Sequence, residues 1–212
     1  MFAAKETLAF FPNYVWVSDL PEGEARHLNE TILGPSRTGG SAVPGQDGHF
    51  QQTQTDLQNR EEFQALDEFA LSATTEISDF LKIECDAFEV TGCWVNIGPI
   101  GAAHREHSHP NNFLSGVYYA RVSPGGDTIT FSDPRLQAHV IAPRIREPST
   151  RTASSVDVGV RDGRLVLFPA WLKHSVSSNR SDRQRVSVAM NVMFIDYVAR
   201  VSRPRWSGAV RI

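Results

Sequence analysis

The pattern of apolar and polar residues changes character after Cys85. Before it, apolar side chains between residues 60 and 83 recur at spacings of three and four, which predicts an amphipathic helix. A shorter helix is predicted over residues 21–33, and strand structure over the aromatic segment 8–17. Residues 34–56 are rich in Gly, Ser, Thr, Gln and Pro, which is typical of an exposed loop. The apolar stripe of the long helix consists of Phe63, Leu66, Ala70, Ala73, Ile77, Phe80 and Leu81.

After Cys85 the chain consists of short β-branched or aromatic runs separated by Gly, Pro, Asn and Asp, which predicts a series of strands. Several short strands preceded by helices are typical of a mainly β fold with flanking helices, either a sandwich or a jelly roll. We expect a single domain over residues 1–212, with 1–86 supporting a jelly-roll core at 87–200. The predicted strands are 87–97, 113–122, 127–132, 138–142, 156–160, 164–168, 172–177 and 185–195.

The last predicted strand has two different faces. Because strand side chains alternate, one face carries apolar residues and the other carries a mixture of small and polar residues. We expect the apolar face to pack under the helix and the mixed face to line a polar cavity. The apolar face comprises Val186, Val188, Met190, Val192 and Phe194, and the mixed face comprises Arg185, Ser187, Ala189, Asn191 and Met193.

Composition narrows the function classes. The 212 residues carry a formal net charge of −3, which gives no overall attraction to nucleic acid. No apolar run reaches the ~18 residues of a membrane helix, and no secretory signal is visible at the N-terminus. Cys85 and Cys93 make no disulfide framework, which suits a reducing compartment. We therefore expect a soluble cytoplasmic protein, for which a homodimer is one open arrangement.

The histidines point to a metal. His107 and His109 are two residues apart, so on an extended backbone both rings point to the same side. His174 lies in a later predicted strand. Two adjacent imidazoles and a third from a distant strand can take three neighbouring positions on one ion, which leaves positions free as catalytic non-haem iron requires.

An arginine follows the last of these histidines. Arg185 starts the mixed face of the final strand, and its planar guanidinium fits a carboxylate through two parallel hydrogen bonds. Ser187 shares that face and offers a hydroxyl to the same anion. The pattern therefore predicts an anion site behind the metal.

Four motifs, in this order along the chain, resemble those of the Fe(II)/2-oxoglutarate-dependent dioxygenases, and most of all their small bacterial and phage branch. The resemblance implies a double-stranded β-helix (a cupin-like jelly roll) with ferrous iron and 2-oxoglutarate as co-substrate. It places the metal ligands, which are also the catalytic residues, at His107, His109 and His174. The motifs are His107-Ser-His-Pro-Asn-Asn-Phe-Leu-Ser-Gly-Val-Tyr-Tyr119, Ile129-Thr-Phe-Ser-Asp-Pro-Arg135, Gly163-Arg-Leu-Val-Leu-Phe-Pro-Ala-Trp-Leu-Lys-His174 and Arg185-Val-Ser-Val-Ala-Met-Asn191.

The resemblance also implies a co-substrate pocket. Tyr119 falls where related prolyl hydroxylases place a co-substrate-binding tyrosine, whereas Tyr118 points to the opposite face of its strand and is expected in the core. Asn96 is a further candidate for the cavity, and Trp94 is expected to serve packing. The residues expected to bind 2-oxoglutarate are Arg185, Tyr119, Ser187 and Asn96.

One departure leaves alternatives open. The family usually has His-x-Asp or His-x-Glu where this chain has His107-Ser-His109, and three neutral imidazoles leave ferrous iron with its full +2 charge. One alternative takes His104 and Glu106 as the His-x-Glu pair. A second is a three-histidine, cupin-type dioxygenase without 2-oxoglutarate, and a third is a non-catalytic metal- or ligand-binding jelly roll. The substrate, a small molecule or a peptide, cannot be read from the sequence.

Overall fold

Two helices precede the strands. A computed structural model describes residues 5–34, 43–44 (backbone), 51–135, 137, 140–141 and 143–195. Helix α1 spans Glu22–Leu33, and helix α2 spans Gln64–Leu81 after two short 3-10 turns. Both predicted helices are confirmed, because each has an apolar stripe that becomes buried. None of the described helices is long and apolar enough to cross a membrane.

The described strands form two sheets, and their strand pairs are antiparallel. The larger sheet has the order β1-β9-β6-β11-β4-β3-β2 and the smaller has the order β5-β10-β7-β8. The strands are β1 Trp16–Asp19, β2 Val43–Pro44, β3 Gln51–Gln52, β4 Phe88–Gly98, β5 His104–His107, β6 Leu114–Arg121, β7 Thr128–Ser132, β8 Ser155–Gly159, β9 Arg164–Pro169, β10 His174–Val176 and β11 Arg185–Phe194.

The core has two layers. One apolar cluster joins the helices to the outer face of the larger sheet, where Leu66 and Ile77 of α2 share it with Val188 of β11. A second cluster lies between the sheets and includes Ile129 and Phe168. The sandwich with helices on one side, predicted as a mainly β jelly roll, is confirmed.

Strand β11 lies at the centre of the larger sheet, paired with β4 over its whole length and with β6 over most of it. As predicted, its apolar residues belong to the cluster under the helices. Arg185, Ser187 and Ala189 from the other face border a cavity between the sheets. The alternation of one strand therefore separates the packed layer from the candidate site.

Some local predictions were wrong. In the predicted strand segment 8–17 only Trp16 and Val17 are in a strand, and Phe10 and Phe11 are exposed. Phe80 was assigned to the buried stripe, but it is 55% exposed and packs edge-on against the ring of Tyr14. A marginal position at the end of a helical stripe is decided by what lies opposite, which periodicity does not contain.

Three other differences concern strands. Within the predicted loop 34–56, β2 and β3 are short strands that extend the larger sheet beyond β4. Strand β5 was not predicted, because its polar sequence lacks apolar alternation. Of the predicted strand 138–142, Val140 and Ile141 lie in a bend, and the other three residues lie outside the described ones. The division at residue 86 and the end of the core at residue 200 stay predictions.

Candidate metal centre and its cavity

A cavity of about 550 Å³ lies between the two sheets, a size typical of small-molecule sites. Strands β3, β4, β6, β9 and β11 contribute to the wall on the side of the larger sheet, and β5, β7 and β10 contribute to the wall on the side of the smaller one. Ile129 and Phe168 are fully buried on the wall, so part of the cavity is lined by apolar groups that exclude water. The predicted site residues converge on this cavity.

The three predicted ligand histidines meet at one point. His107 ends β5 and is the register partner of His174 at the start of β10, and His109 follows two residues after His107. Their ligating nitrogens all lie within 4.8 Å of one another. The backbone N–H of His109 donates to the carbonyl of Ala170 at 2.8 Å, which anchors the turn that carries this ring.

Backbone hydrogen bonds orient two of the rings. Nδ1 of His107 lies 2.7 Å from the carbonyl oxygen of Arg105, and Nδ1 of His174 lies 3.0 Å from that of Leu172. Because a carbonyl oxygen can only accept, each Nδ1 must carry the proton and donate. In the neutral ring Nε2 then keeps its lone pair, which is the arrangement found in metal-binding histidines.

Burial keeps two of the imidazoles neutral. Desolvation lowers the pKa of His174 to about 3, and its carbonyl partner Leu172 opposes this only in part. Desolvation, helped by the neighbouring His107, lowers the pKa of His109 to about 4. At neutral pH these rings are uncharged and able to donate lone pairs to a cation.

The donor set fits a divalent transition metal. Nitrogen ligands lie ~2.1 Å from such an ion, so two ligands of one ion are separated by up to about 4 Å. The observed spacing, within 4.8 Å, is close to this range. Imidazole is a ligand type suited to iron, nickel and zinc. We therefore regard His107, His109 and His174 as fitting the metal that the sequence implies.

An unpaired guanidinium lies elsewhere on the cavity wall. Arg185 is only 6% exposed, and its one hydrogen bond among the described residues is a long one of 3.5 Å to the carbonyl of Gly126. Burial lowers the pKa of this guanidinium. A buried cation without a partner is costly, so this end of the cavity is suited to receive an anion.

Two hydroxyls accompany this cation. The hydroxyl of Tyr119 is buried without a hydrogen-bond partner among the described residues, and burial, opposed in part by Arg185, raises the pKa of this phenol. It therefore stays protonated and able to donate. Ser187 is the register partner of Tyr119, lines the same cavity and is buried. The predicted Tyr118 points the other way, into the core, where its hydroxyl donates to Oδ1 of Asn29 at 2.8 Å.

Trp94 and Gln52 are two of the cavity residues that sequence reasoning missed. Trp94, expected to serve packing alone, lines the cavity with its ring centroid 5.9 Å from that of His109. Gln52, in the predicted loop, reaches the cavity from β3 and donates from Nε2 to Oδ1 of Asn96 at 2.8 Å. Trp94 could have been found, since it shares the strand face of Asn96. For Gln52, the local sequence pattern gave no indication of a cavity position, because the residue lies in a segment predicted as a loop.

The alternative pair is arranged differently. The carboxylate of Glu106 accepts a 3.2 Å bond from Nζ of Lys173 and a short bond from the hydroxyl of Ser132. These two contacts, Ser132 first, lower the pKa of Glu106. Among the described residues, the group of metal-ligating atoms contains neither His104 nor Glu106. The geometry therefore favours the three histidines, and their roles as ligands stay a prediction.

Comparison with known proteins agrees with this chemistry. Residues 92–191 match the model of a family described as "Putative 2OG-Fe(II) oxygenase". The matched segment contains all three histidines and Arg185. No curated protein matches the sequence. The family match supports iron as the cofactor and 2-oxoglutarate as the co-substrate.

Solved structures share the fold. A prolyl-4-hydroxylase from Pseudomonas putida superposes with a TM-score of 0.62 at 17% identity, over 86% of this chain and 93% of that one. HygX from Streptomyces hygroscopicus, crystallised with nickel and 2-oxoglutarate, gives a TM-score of 0.61 at 10% identity. The superposition covers 86% of this chain and 84% of that one. A prolyl hydroxylase from Trichoplax adhaerens, in complex with a peptide fragment of hypoxia-inducible factor, gives a TM-score of 0.58 at 12% identity. The superposition covers 90% of this chain and 88% of that one.

These superpositions confirm the predicted double-stranded β-helix. The placement in the small bacterial and phage branch stays a prediction. The family match, together with a fold shared with oxygenases of this type, confirms the resemblance read from the motifs. Residues 92–191 therefore match the family of putative 2OG-Fe(II) oxygenases, and the chain shares its fold with solved oxygenases of this type.

Proposed function

We propose that the chain is a dioxygenase that hydroxylates a small molecule or a peptide, with His107, His109 and His174 as iron ligands. Arg185, with Tyr119 and Ser187, would bind the distal carboxylate of 2-oxoglutarate. The observation that carries the proposal is that three imidazole donors and a buried guanidinium, which has no carboxylate partner among the described residues, line one cavity. The role of Asn96 toward the co-substrate stays a prediction.

Bound iron and 2-oxoglutarate would supply oxygen activation, with net conversion of substrate, O₂ and 2-oxoglutarate to hydroxylated substrate, succinate and CO₂. The protein contributes binding and orientation. The fork of Arg185 can donate two parallel hydrogen bonds to one carboxylate, and the hydroxyl of Tyr119 can donate a further one. These donors would turn the opposite, keto-acid end of the co-substrate toward the histidines.

The apolar wall has a separate task. Ile129 and Phe168 have no exposed surface and line the cavity. The ring of Phe168 lies against that of His174, with centroids 4.5 Å apart. Such a wall keeps water away from the reacting centre and strengthens charge interactions within it.

The first test measures co-substrate binding and turnover in the full-length protein. We expect calorimetry with Ni(II) to show 2-oxoglutarate binding that requires the metal, and Fe(II) with ascorbate under air to give slow succinate release. Substituting Tyr119→Phe should weaken 2-oxoglutarate binding about threefold to tenfold, because one hydrogen bond is lost. Absence of both 2-oxoglutarate binding and succinate release would contradict the proposal.

The ligand set has its own test, because it contains no carboxylate. This feature favours, as a second candidate, a three-histidine dioxygenase in which Arg185 holds the carboxylate of the substrate itself. His109→Asp restores the usual His-x-Asp pattern. If 2-oxoglutarate chemistry operates, the His109→Asp variant should keep metal-dependent 2-oxoglutarate binding and succinate release. If the protein is instead a three-histidine dioxygenase, the His109→Asp variant should lose the oxygenase activity of the wild type.

A further inference from the structure

Two side-chain amides lie together in the part of the cavity bounded by β3 and β4. Gln52 and Asn96 are register partners on these strands, and Nε2 of Gln52 donates to Oδ1 of Asn96 at 2.8 Å. Gln52 is half-buried, whereas Arg185 is almost fully buried. Gln52 therefore lies nearer the solvent than the guanidinium does, whereas Asn96 is almost as buried as Arg185.

The hydrogen bond between them leaves one acceptor and one donor group unused. Asn96 is only 8% exposed, yet its Nδ2 has no partner among the described residues, and Oε1 of Gln52 is likewise unpaired there. Neither atom is fully buried, so both can be reached from the cavity. Because both residues line the cavity, a ligand there can satisfy both groups.

The chemistry of the pair defines its ligand. Nδ2 of Asn96 calls for an acceptor and Oε1 of Gln52 calls for a donor, and the pair carries no charge. A carboxylate supplies acceptors only and is served better by Arg185. A primary carboxamide carries an N–H donor and a C=O acceptor on one edge, and a peptide segment offers one of each from neighbouring peptide units, so either can supply both partners.

An aromatic surface connects this pair with the metal ligands. Trp94 lies two residues before Asn96 on the same face of β4, and its ring is tilted by 31° to that of His109 at a centroid distance of 5.9 Å. A ligand anchored at the amide pair would lay its neighbouring apolar group over this indole. That group would then lie beside the histidines, where oxidation takes place.

We propose that Gln52 and Asn96 form a specificity site that binds an uncharged amide group of the substrate, with Trp94 supporting the aliphatic group to be oxidised. The substrate class is accordingly an amide-bearing molecule with an aliphatic side group. The inference rests on the proposed function for the reaction itself. It assigns Asn96 to the substrate rather than to 2-oxoglutarate.

Nuclear magnetic resonance of the ¹⁵N-labelled full chain tests this directly, with Zn(II) in place of iron and 2-oxoglutarate at saturation, so that no turnover occurs. The probes are N-acetyl-leucine methylamide, which has peptide groups, and isovaleramide, which is a small primary amide. We expect either or both to shift the side-chain NH₂ signals of Gln52 and Asn96 and the indole N–H signal of Trp94. Preference for the first probe indicates a peptide substrate, and preference for the second indicates a small molecule.

Matched controls separate amide binding from general affinity. Sodium isovalerate, which offers no N–H donor, should shift these signals at least about fivefold more weakly than isovaleramide. Gln52→Met should weaken amide binding about fivefold to twentyfold, whereas Gln51→Met, next to it on β3 and exposed, should leave binding unchanged.

Two outcomes would overturn the inference. One is that the amides fail to shift the signals of Gln52 and Asn96 although 2-oxoglutarate binds, in which case the proposed function stands without this site. The other is that 2-oxoglutarate alone shifts the Asn96 amide and the amide probes do not, which would return Asn96 to the co-substrate. If 2-oxoglutarate itself fails to bind, the proposed function falls first.

Discussion

The two faces of β11 share one backbone, but their side chains have opposite chemical character. On the face toward the helices, Val186, Val188 and Met190 are almost completely buried among apolar neighbours. On the face toward the smaller sheet, Arg185 and Ser187 are almost equally buried, but they border a cavity. Burial alone therefore does not distinguish the layer that stabilises the fold from the layer that carries the chemistry. The distinction lies in whether the buried polar groups have partners.

The adjacent tyrosines of β6 repeat this contrast. Tyr118 on the helix side has its hydroxyl hydrogen-bonded, whereas Tyr119 on the cavity side has a buried hydroxyl without a partner among the described residues. Unsatisfied polar groups cost stability and are retained where a ligand completes them. Substitutions on the two faces should accordingly separate stability from binding.

The largest effect is expected from His174→Ala. Residues that merely orient a metal ligand already cost 10- to 100-fold in affinity when removed, so loss of a ligand should lower Ni(II) or Zn(II) affinity by more than about 100-fold. Isothermal calorimetry measures this, and thermal unfolding without metal checks that the fold persists. His27→Ala, on the exposed surface of α1, is the control. Unchanged metal affinity in His174→Ala would remove this histidine from the site.

Arg185→Lys is expected to have the second largest effect. Lysine keeps the charge but lacks the planar fork, so we expect 2-oxoglutarate affinity in the metal-loaded protein to fall about 10- to 100-fold. The exposed Arg180→Lys should leave it unchanged. A carboxylate held by charge alone would bind almost equally well to the lysine variant, and that result would contradict a bidentate contact.

The tyrosine pair should give smaller effects on stability, of opposite sign. Tyr118→Phe removes a satisfied hydrogen bond and should lower the free energy of unfolding by about 1 kcal/mol. Tyr119→Phe removes an unsatisfied buried hydroxyl, so the metal-free protein should be equally stable or up to about 1 kcal/mol more stable. Urea unfolding of the two variants measures the difference. A destabilised Tyr119→Phe would mean that this hydroxyl has a partner in the free protein.

The smallest effect belongs to an ion pair at the edge of the larger sheet, outside both faces. Hydrogen bonds from Arg164, and then Arg161, lower the pKa of Asp19 from 3.8 to about 2. A lowered pKa means that the contribution to stability is complete above the unfolded value of 3.8 and is lost as the pH falls toward 2. Because Asp19 is partly exposed, Asp19→Asn should cost less than about 1 kcal/mol at pH 7.

The pH dependence gives the check on this pair. The difference in thermal midpoint between wild type and Asp19→Asn should shrink between pH 4 and pH 2. A difference that stayed constant over this range would show that the carboxylate charge contributes nothing. Because the pair lies outside the two faces of β11, neither 2-oxoglutarate nor metal affinity should change.

Local pattern predicted the parts of the molecule in which one face is uniformly apolar. The spacing of Leu66, Ala70 and Ile77 predicted α2, and the alternation of β11 predicted its apolar face and the cavity-facing part of its other face, from Arg185 to Ala189. The spacing of His107 and His109, together with the later His174, predicted a cluster that the structure brings together. For α2, for β11 and for the pair His107 and His109, the side-chain period of a single segment contains the required information, whereas His174 joins them through strand pairing.

What the sequence by itself determined is therefore which face of each regular element is apolar and which residue types are available for chemistry. Tertiary structure alone decided which strands lie opposite one another, and so brought Gln52 beside Asn96 and Trp94 beside His109. It also paired Glu106 with Lys173 and left it outside the group of ligating histidines. The physical reason is that period is a property of neighbours along the chain, whereas register and sheet packing depend on contacts between distant segments.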